Sequence, residues 1–300
     1  MEKIEKHPMS KLAKRLMILC VAGAMLLSAA FALHRVFARE NNREILVLMY
    51  HDIREEAVPG NYMIISRETF RAQLQTLQDA GFETISFDDL IAFVDYGRQL
   101  PERPVVITFD DGYRSNLTIA APILEEFGMQ ATIHVIGSSR GRDTHIRTGV
   151  PSIPHFTLEE ARPWVEAGVI HIQHHSYDMH HVRALEEEDF FREGALQREG
   201  ESDEDYRAAF FADFHMTRQA IEEALGTAVT VYAYPYGFYS ADTEAMLKEL
   251  GIRVTLATHP GSNVIWRNRP ESLFLLNRLN MSEAVQPEGM IAYLESFMVG

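Results

Sequence analysis

From residue 44 onward, short apolar runs alternate with stretches of helical periodicity. The runs are ILVLMY (45–50), PVVITF (104–109), ATIHVIG (131–137), GVIHIQ (168–173), TVYAY (230–234) and RVTLAT (253–258). All are too short for a typical helix; ILVLMY and PVVITF are continuous enough to read as buried strands, and the other four are strand candidates. FETIS (82–86) is a further expected strand. Helices are expected at 66–80, 88–96, 116–127, 158–167, 205–225 and 243–250, with Gly81, Gly97 and Gly128 as stop signals after the first three. Strands joined through helices run parallel, so the chain is restricted to a mostly parallel sheet with helices outside, either a barrel or an open sheet. Parallel strands place their C-terminal ends on one edge, where such sheets carry their functional groups.

Composition narrows the class further. A chain of 300 residues with 46% hydrophobic content can bury a substantial core and is not a disordered chain. The formal net charge of −15 excludes nucleic acid as a partner, because neutralising phosphates needs an excess of Lys and Arg. A single cysteine excludes a disulfide framework and a thiolate-built metal site. The acidic run at 186–205 reads as a solvated loop or helix face between two core units.

The charge is unevenly divided. Residues 1–43 hold eight Lys or Arg against three Glu, a net of +5, which leaves −20 for residues 44–300. Within that basic leader, residues 16–33 (LMILCVAGAMLLSAAFAL) are eighteen consecutive residues without a charge. As a helix they span roughly 27 Å, close to a bilayer's hydrocarbon core. Lys11, Lys14 and Arg15 precede the run and place the N-terminus in the cytoplasm by the positive-inside rule, with the body outside. The expected division is a basic tail 1–15, a transmembrane anchor 16–38, a linker 39–43 and one catalytic domain 44–300. The alternative is a cleaved signal peptide with Val36-Phe37-Ala38 before the cut, which makes the body a secreted protein. Cys20 lies inside the run, so the body is free of cysteine.

Three strand ends carry residues suited to chemistry. Of the thirteen histidines, five (His171, His174, His175, His180 and His181) fall within eleven residues. Neutral imidazole is the commonest metal ligand, and Zn²⁺ sites often combine two His with a carboxylate. On a helix, His175 and His180 lie about 140° apart, so they reach one metal only from a loop; the competing reading is a group of surface histidines. Asp110-Asp111-Gly112 follows PVVITF. By itself this is a turn with a capping Asp; beside a His cluster it is a carboxylate pair, one member to hold a metal and one to take a proton from water. Tyr234-Pro235-Tyr236-Gly237 is either a core strand ending in a turn or a flat aromatic wall with backbone N–H groups for an oxyanion.

TFDDG at 108–112, the His-Ser loop at 175–180 and YPYG at 234–237 occur in an order that resembles the NodB-like polysaccharide deacetylases, carbohydrate esterase family 4, over residues 44–300. The resemblance implies a distorted (β/α) barrel with fewer regular units than an eight-fold barrel, here preceded by the transmembrane helix. It implies Asp110 as general base, Asp111, His175 and His180 as metal ligands, and Tyr236 as donor of a backbone N–H to the oxyanion. Three departures stand out. The second loop histidine comes one residue later than the usual His-x-x-x-His spacing, as in a branch resembling the poly-N-acetylglucosamine deacetylases. Ala233 replaces the usual Arg before the YPYG Pro, and Arg278 in LLNRLN is the expected substitute. No C-terminal Leu-x-x-His supplies the general acid; His51, at the end of LVLMYHDI, is expected in that role, with His259 as rival.

The resemblance therefore implies a metal-dependent hydrolase that removes N-acetyl groups from an extracellular or cell-wall polysaccharide containing N-acetylglucosamine. The implied cofactor is a divalent ion, Zn²⁺ before Co²⁺, Ni²⁺ or Fe²⁺, since two His and one Asp suit several metals. Peptidoglycan competes with an exopolysaccharide as the polymer. The other readings are an O-acetyl esterase built on the same machinery and an inactive surface carbohydrate-binding protein.

Overall fold

The computed structural model describes residues 41–146, 148–181 and 192–298, together with Met17, Cys20, Val21, Gly23 and Met25. The chain divides into two compact units, Met1–Arg43 and Glu44–Gly300. Among the described residues no helix is long and apolar enough to cross a membrane. The expected span 16–38 lies outside the described residues apart from those five positions, and residues 186–191 of the acidic run lie outside them too.

The strands are β1 (Asn42–Tyr50), β2 (Asp52–Arg54), β3 (Ile64–Ser66), β4 (Glu83–Thr84), β5 (Pro104–Phe109), β6 (Ala131–Val135), β7 (Ile170–His174), β8 (Val231–Ala233), β9 (Val254–Leu256), β10 (Asn263–Trp266) and β11 (Leu279–Asn280). The main sheet has the order β10-β1-β5-β6-β7-β8-β9, with β11 also on β1 and β4 also on β5. From β1 through β9 the pairing is parallel throughout, as the alternation of strands and helices requires. The sheet curls. A parallel bridge joins Leu256, at the end of β9, to Leu276, just ahead of β11, which pairs with β1. The result is a half-barrel with helices, less regular than a closed eight-fold barrel.

Alternate residues of β1, β5 and β8 serve two cores. Ile45 and Val47 of β1, Val106 of β5, Val231 of β8 and Val254 of β9 share one cluster with Phe87, Leu90 and Phe93 of the helix Phe87–Tyr96. Strands far apart in the sheet order meet in this cluster because the sheet folds around it. Leu46, Leu48 and Tyr50 of β1 and Val105, Ile107 and Phe109 of β5 face the other cluster, where Phe70, Leu74 and Leu77 of the helix Arg67–Asp79 pack.

Two expected elements differ. The strand at 82–86 shrinks to β4, because Ser86 accepts the Asp89 N–H and forms a capping box that turns the chain into the next helix. The helix at 116–127 opens with a π turn, Asn116–Ala120, and becomes α only over Ala121–Glu126. Pro122 lacks the N–H that a regular α ladder needs at this point.

Phe109 is the last residue of β5 and is fully buried, with its ring 5.4 Å from Tyr50 and 5.8 Å from Phe70. Phe109→Ala is expected to cost about 3–5 kcal/mol, read from the midpoint and slope of a urea unfolding curve.

Candidate metal and catalytic site

The C-terminal ends of β1, β5, β6 and β7 bring together residues that lie far apart in sequence. The register sets the neighbours: Tyr50 pairs with Phe109 and Phe109 with Ile133, so the next residues along, His51, Asp110 and His134, form a row. His51 is held by its backbone, since Asn116 Nδ2 donates to its carbonyl at 2.7 Å. The turn after it is locked by Asp52, which accepts from Ser115 Oγ at 2.6 Å and pairs with Arg54 at 2.7 Å.

Three sharp turns then aim the side chains. Asp111, Ser176 and Tyr236 all adopt left-handed backbone conformations, with φ of 73°, 71° and 57°. For residues other than glycine each costs about 1–3 kcal/mol and persists only where surrounding contacts enforce it. All three stand just beyond strand ends, after β5, β7 and β8.

Asp111, His175 and His180 each offer one ligand atom, and these atoms lie within 4.8 Å of one another. Asp111 Oδ1 is 3.6 Å from His175 Nε2 and 3.3 Å from His180 Nε2. His175 Nδ1 lies 2.8 Å from the Ala233 carbonyl. A carbonyl only accepts, so Nδ1 carries the proton and the Nε2 lone pair faces the cluster. Burial pushes the His175 pKa down to about 4, which keeps that lone pair available at neutral pH. Asp111 Oδ1 is buried and makes no hydrogen bond among the described residues. A buried carboxylate oxygen facing two imidazole Nε2 atoms fits a divalent cation, in the Asp-His-His donor set common for Zn²⁺. Burial by itself raises the Asp111 pKa, but His180, His51 and His175 outweigh it and hold the group well below the usual carboxylate range.

Asp110 stands beside this cluster and is differently bound. Its Oδ1 accepts from Arg278 Nη1 at 2.7 Å and lies 3.1 Å from His134 Nδ1, while Oδ2 is 3.9 Å from His175 Nε2. Arg278 is 1% exposed and also donates from Nε to the Ala257 carbonyl at 2.8 Å. The guanidinium therefore reaches the carboxylate from the segment ahead of β11, around the curl from Ala233. Burial pushes the Asp110 pKa up; the charge of Arg278, the neighbouring His175 and the hydrogen bonds from His134 and Arg278 outweigh it, so the group stays ionised.

His51 is buried, and its pKa is lowered by burial, while Asp111 and then Asp110 pull it the other way. Asp110 N–H donates to the Tyr50 carbonyl at 3.0 Å, which sets His51 alongside Asp110. His259 is exposed, and its only described ring contact is with Tyr239 at 6.5 Å. The Tyr236 ring lies 4.5 Å from that of His180. His171 bonds Gln130 at 2.8 Å, away from the cluster, and His174 is a packed core residue, its Nε2 bonded to the Phe214 carbonyl at 2.9 Å.

Sequence reasoning missed His134 and Tyr113. His134 had a readable signal: it is the one imidazole inside ATIHV, a strand buried at every position. Tyr113, whose pKa is raised by burial and then by Asp111, lies beside the Asp pair but follows Gly112 as an ordinary turn residue would.

Arg278→Met leaves Asp110 buried without its cation, and is expected to destabilise the protein by about 3–5 kcal/mol at neutral pH. The depressed Asp110 pKa means that its stabilisation is present above the unfolded carboxylate value and lost as pH falls. The difference between variant and wild type should therefore shrink toward acid, measured by urea unfolding at a series of pH values in the presence of a chelator.

The family model described as polysaccharide deacetylase matches residues 97–255. The YxkH protein of Bacillus subtilis (strain 168) is 27% identical over 257 residues, covering 86% of this chain and 78% of that protein. The poly-beta-1,6-N-acetyl-D-glucosamine N-deacetylase of Escherichia coli (strain K12) is 26% identical over 141 residues, 45% of this chain and only 21% of that larger protein. Among solved structures, the BpsB deacetylase domain of Bordetella bronchiseptica aligns with a TM-score of 0.61 at 26% identity, covering 78% of this chain and 94% of that one. With the matched region spanning more than half of its length and carrying Asp110, Asp111, His175 and His180, the chain belongs to the polysaccharide deacetylase family of the NodB-like type.

Proposed function

We propose that this protein is a divalent-metal-dependent de-N-acetylase acting on a polysaccharide of N-acetylglucosamine. The observation that carries the reading is the pairing of two unlike carboxylates: Asp111 faces His175 and His180, while Asp110 is pinned by Arg278 and His134. Relatives named as poly-beta-1,6-N-acetyl-D-glucosamine N-deacetylases support the choice of polymer.

Asp111, His175 and His180 would hold the cation, which supplies polarisation of the acetyl carbonyl and acidification of a water molecule when bound. Zn²⁺ is the ion proposed first. The chain's own residues do the rest. Asp110, kept ionised, accepts the proton of the attacking water; Arg278 and His134 prevent its carboxylate from rotating away. The Tyr236 backbone N–H donates to the developing oxyanion, and the left-handed turn at this residue orients it. His51, on the neighbouring strand end, passes a proton to the departing amine. The products are acetate and a glucosamine unit.

The uncharged run at 16–33 and the basic residues before it support a single-pass anchor with the catalytic unit on the extracytoplasmic side. Protease added to intact cells should then remove the catalytic unit; full protection would contradict this topology.

Acetate release from β-1,6-linked N-acetylglucosamine oligomers, compared with chito-oligomers and peptidoglycan, tests the activity. Release should disappear with a chelator and return with Zn²⁺. Asp110→Asn and His51→Ala should each lower kcat by about 10²–10⁴-fold. Unchanged turnover in Asp110→Asn would remove Asp110 from the role of base.

A further inference from the structure

The two histidines of the proposed metal site sit at the ends of the segment His175-Ser176-Tyr177-Asp178-Met179-His180, which belongs to no regular element. Such a loop has no ladder to set the distance between its ends, so its backbone groups need other partners. Ser176, in its left-handed conformation, turns the next two N–H groups toward one point. That point is the carboxylate of Asp213, on the long helix Asp203–Leu225. Tyr177 N–H donates to Asp213 Oδ1 at 2.8 Å and Asp178 N–H donates to Oδ2 at 2.7 Å.

The same helix grips the loop at its start. Thr217 Oγ1 donates to the Ser176 carbonyl at 3.2 Å. His174 links the two as well: its Nε2 bonds the Phe214 carbonyl, while its Nδ1 accepts the Ser176 N–H at 2.9 Å. From the opposite side, Gly137 N–H donates to the Ser176 carbonyl at 2.9 Å and Ser138 N–H to the Tyr177 carbonyl at 2.8 Å. Among these partners Asp213 is the one ionisable acid, and it alone bonds two consecutive residues between the ligands.

We infer that Asp213 is a positioning residue for the metal site, whose carboxylate holds the loop between His175 and His180 in the shape that brings both Nε2 atoms onto one ion. The inference rests on the reading of Asp111, His175 and His180 as ligands. Two N–H donors, each on its own oxygen, need two acceptor oxygens. Asparagine offers one oxygen and would set an amide N–H₂ against the second donor, so it cannot substitute for the carboxylate.

The test compares wild type, Asp213→Asn and Asp213→Glu. Zn²⁺ affinity is measured by competition with a chelating dye, and amide exchange at Tyr177 and Asp178 is measured without metal. Asp213→Asn should bind Zn²⁺ about 10–100-fold more weakly, with amide exchange at the two positions accelerated beyond that of the surrounding sheet. Asp213→Glu keeps two acceptor oxygens and should lie nearer wild type on both measures. Wild-type Zn²⁺ affinity and unchanged loop exchange in Asp213→Asn would overturn the inference, as would Asn outperforming Glu. Failure of the wild type to take up Zn²⁺ would sink the metal reading instead, and exchange at Tyr177 and Asp178 would still decide whether Asp213 holds the loop.

Discussion

Two adjacent carboxylates, Asp110 and Asp111, are 3% and 5% exposed at the end of β5. Taking one ionised carboxylate out of water costs several kcal/mol, and a second beside it adds repulsion. The fold around them is organised by that cost. Asp110 is compensated by Arg278 and by the His134 N–H; Asp111 faces His175 and His180, with His51 alongside at the end of β1. These partners come from β6, from the loop after β7, from the end of β1 and from the segment ahead of β11. Only a parallel sheet that curls far enough to carry β11 back to β1 supplies all of them to one point.

The same geometry separates the roles of two chemically identical groups. Asp110 takes both of its side-chain hydrogen bonds, from Arg278 and His134, on Oδ1; they keep the group ionised and fix its orientation while Oδ2 stays available. Asp111 keeps an oxygen that, among the described residues, makes no hydrogen bond and is aimed at two imidazole nitrogens. The first environment suits the proton acceptor, and the second the metal ligand, of the mechanism proposed above. The backbone strain at Asp111, Ser176 and Tyr236 belongs to this arrangement: left-handed turns just past the strand ends redirect side chains and N–H groups that a continuing strand would send to alternate faces. Hydrogen bonds from neighbouring elements, including those from Gly137, Ser138 and Thr217 to the loop after β7, offset that strain.

Much of this was legible in the chain itself. Continuous apolar runs marked β1, β5, β6 and β7, because strands buried on both faces tolerate little else, and their polar ends marked the functional edge. Local competition was less legible. Ser86 could belong equally to a strand or to a helix cap, and the capping box decided it. The departure at Ala233 announced a missing cation, and Arg278 was the expected substitute; the structure brings its guanidinium to Asp110 at 2.7 Å. His134 was passed over because one histidine in an apolar strand is more often a packed residue, and here it is both packed and bonded to Asp110.

The sequence by itself determined the α/β class of the fold and the edge on which the candidate residues sit, since periodicity and chain order are local properties; the choice of Asp111, His175 and His180 came from the resemblance of their motifs to a known family. Tertiary structure alone decided which carboxylate is pinned and which faces the histidines, that His51 lies alongside Asp110, and that Asp213 accepts two N–H groups of the loop. Each of those depends on distances between residues tens to hundreds of positions apart, which are set by register and curl. No local pattern encodes them.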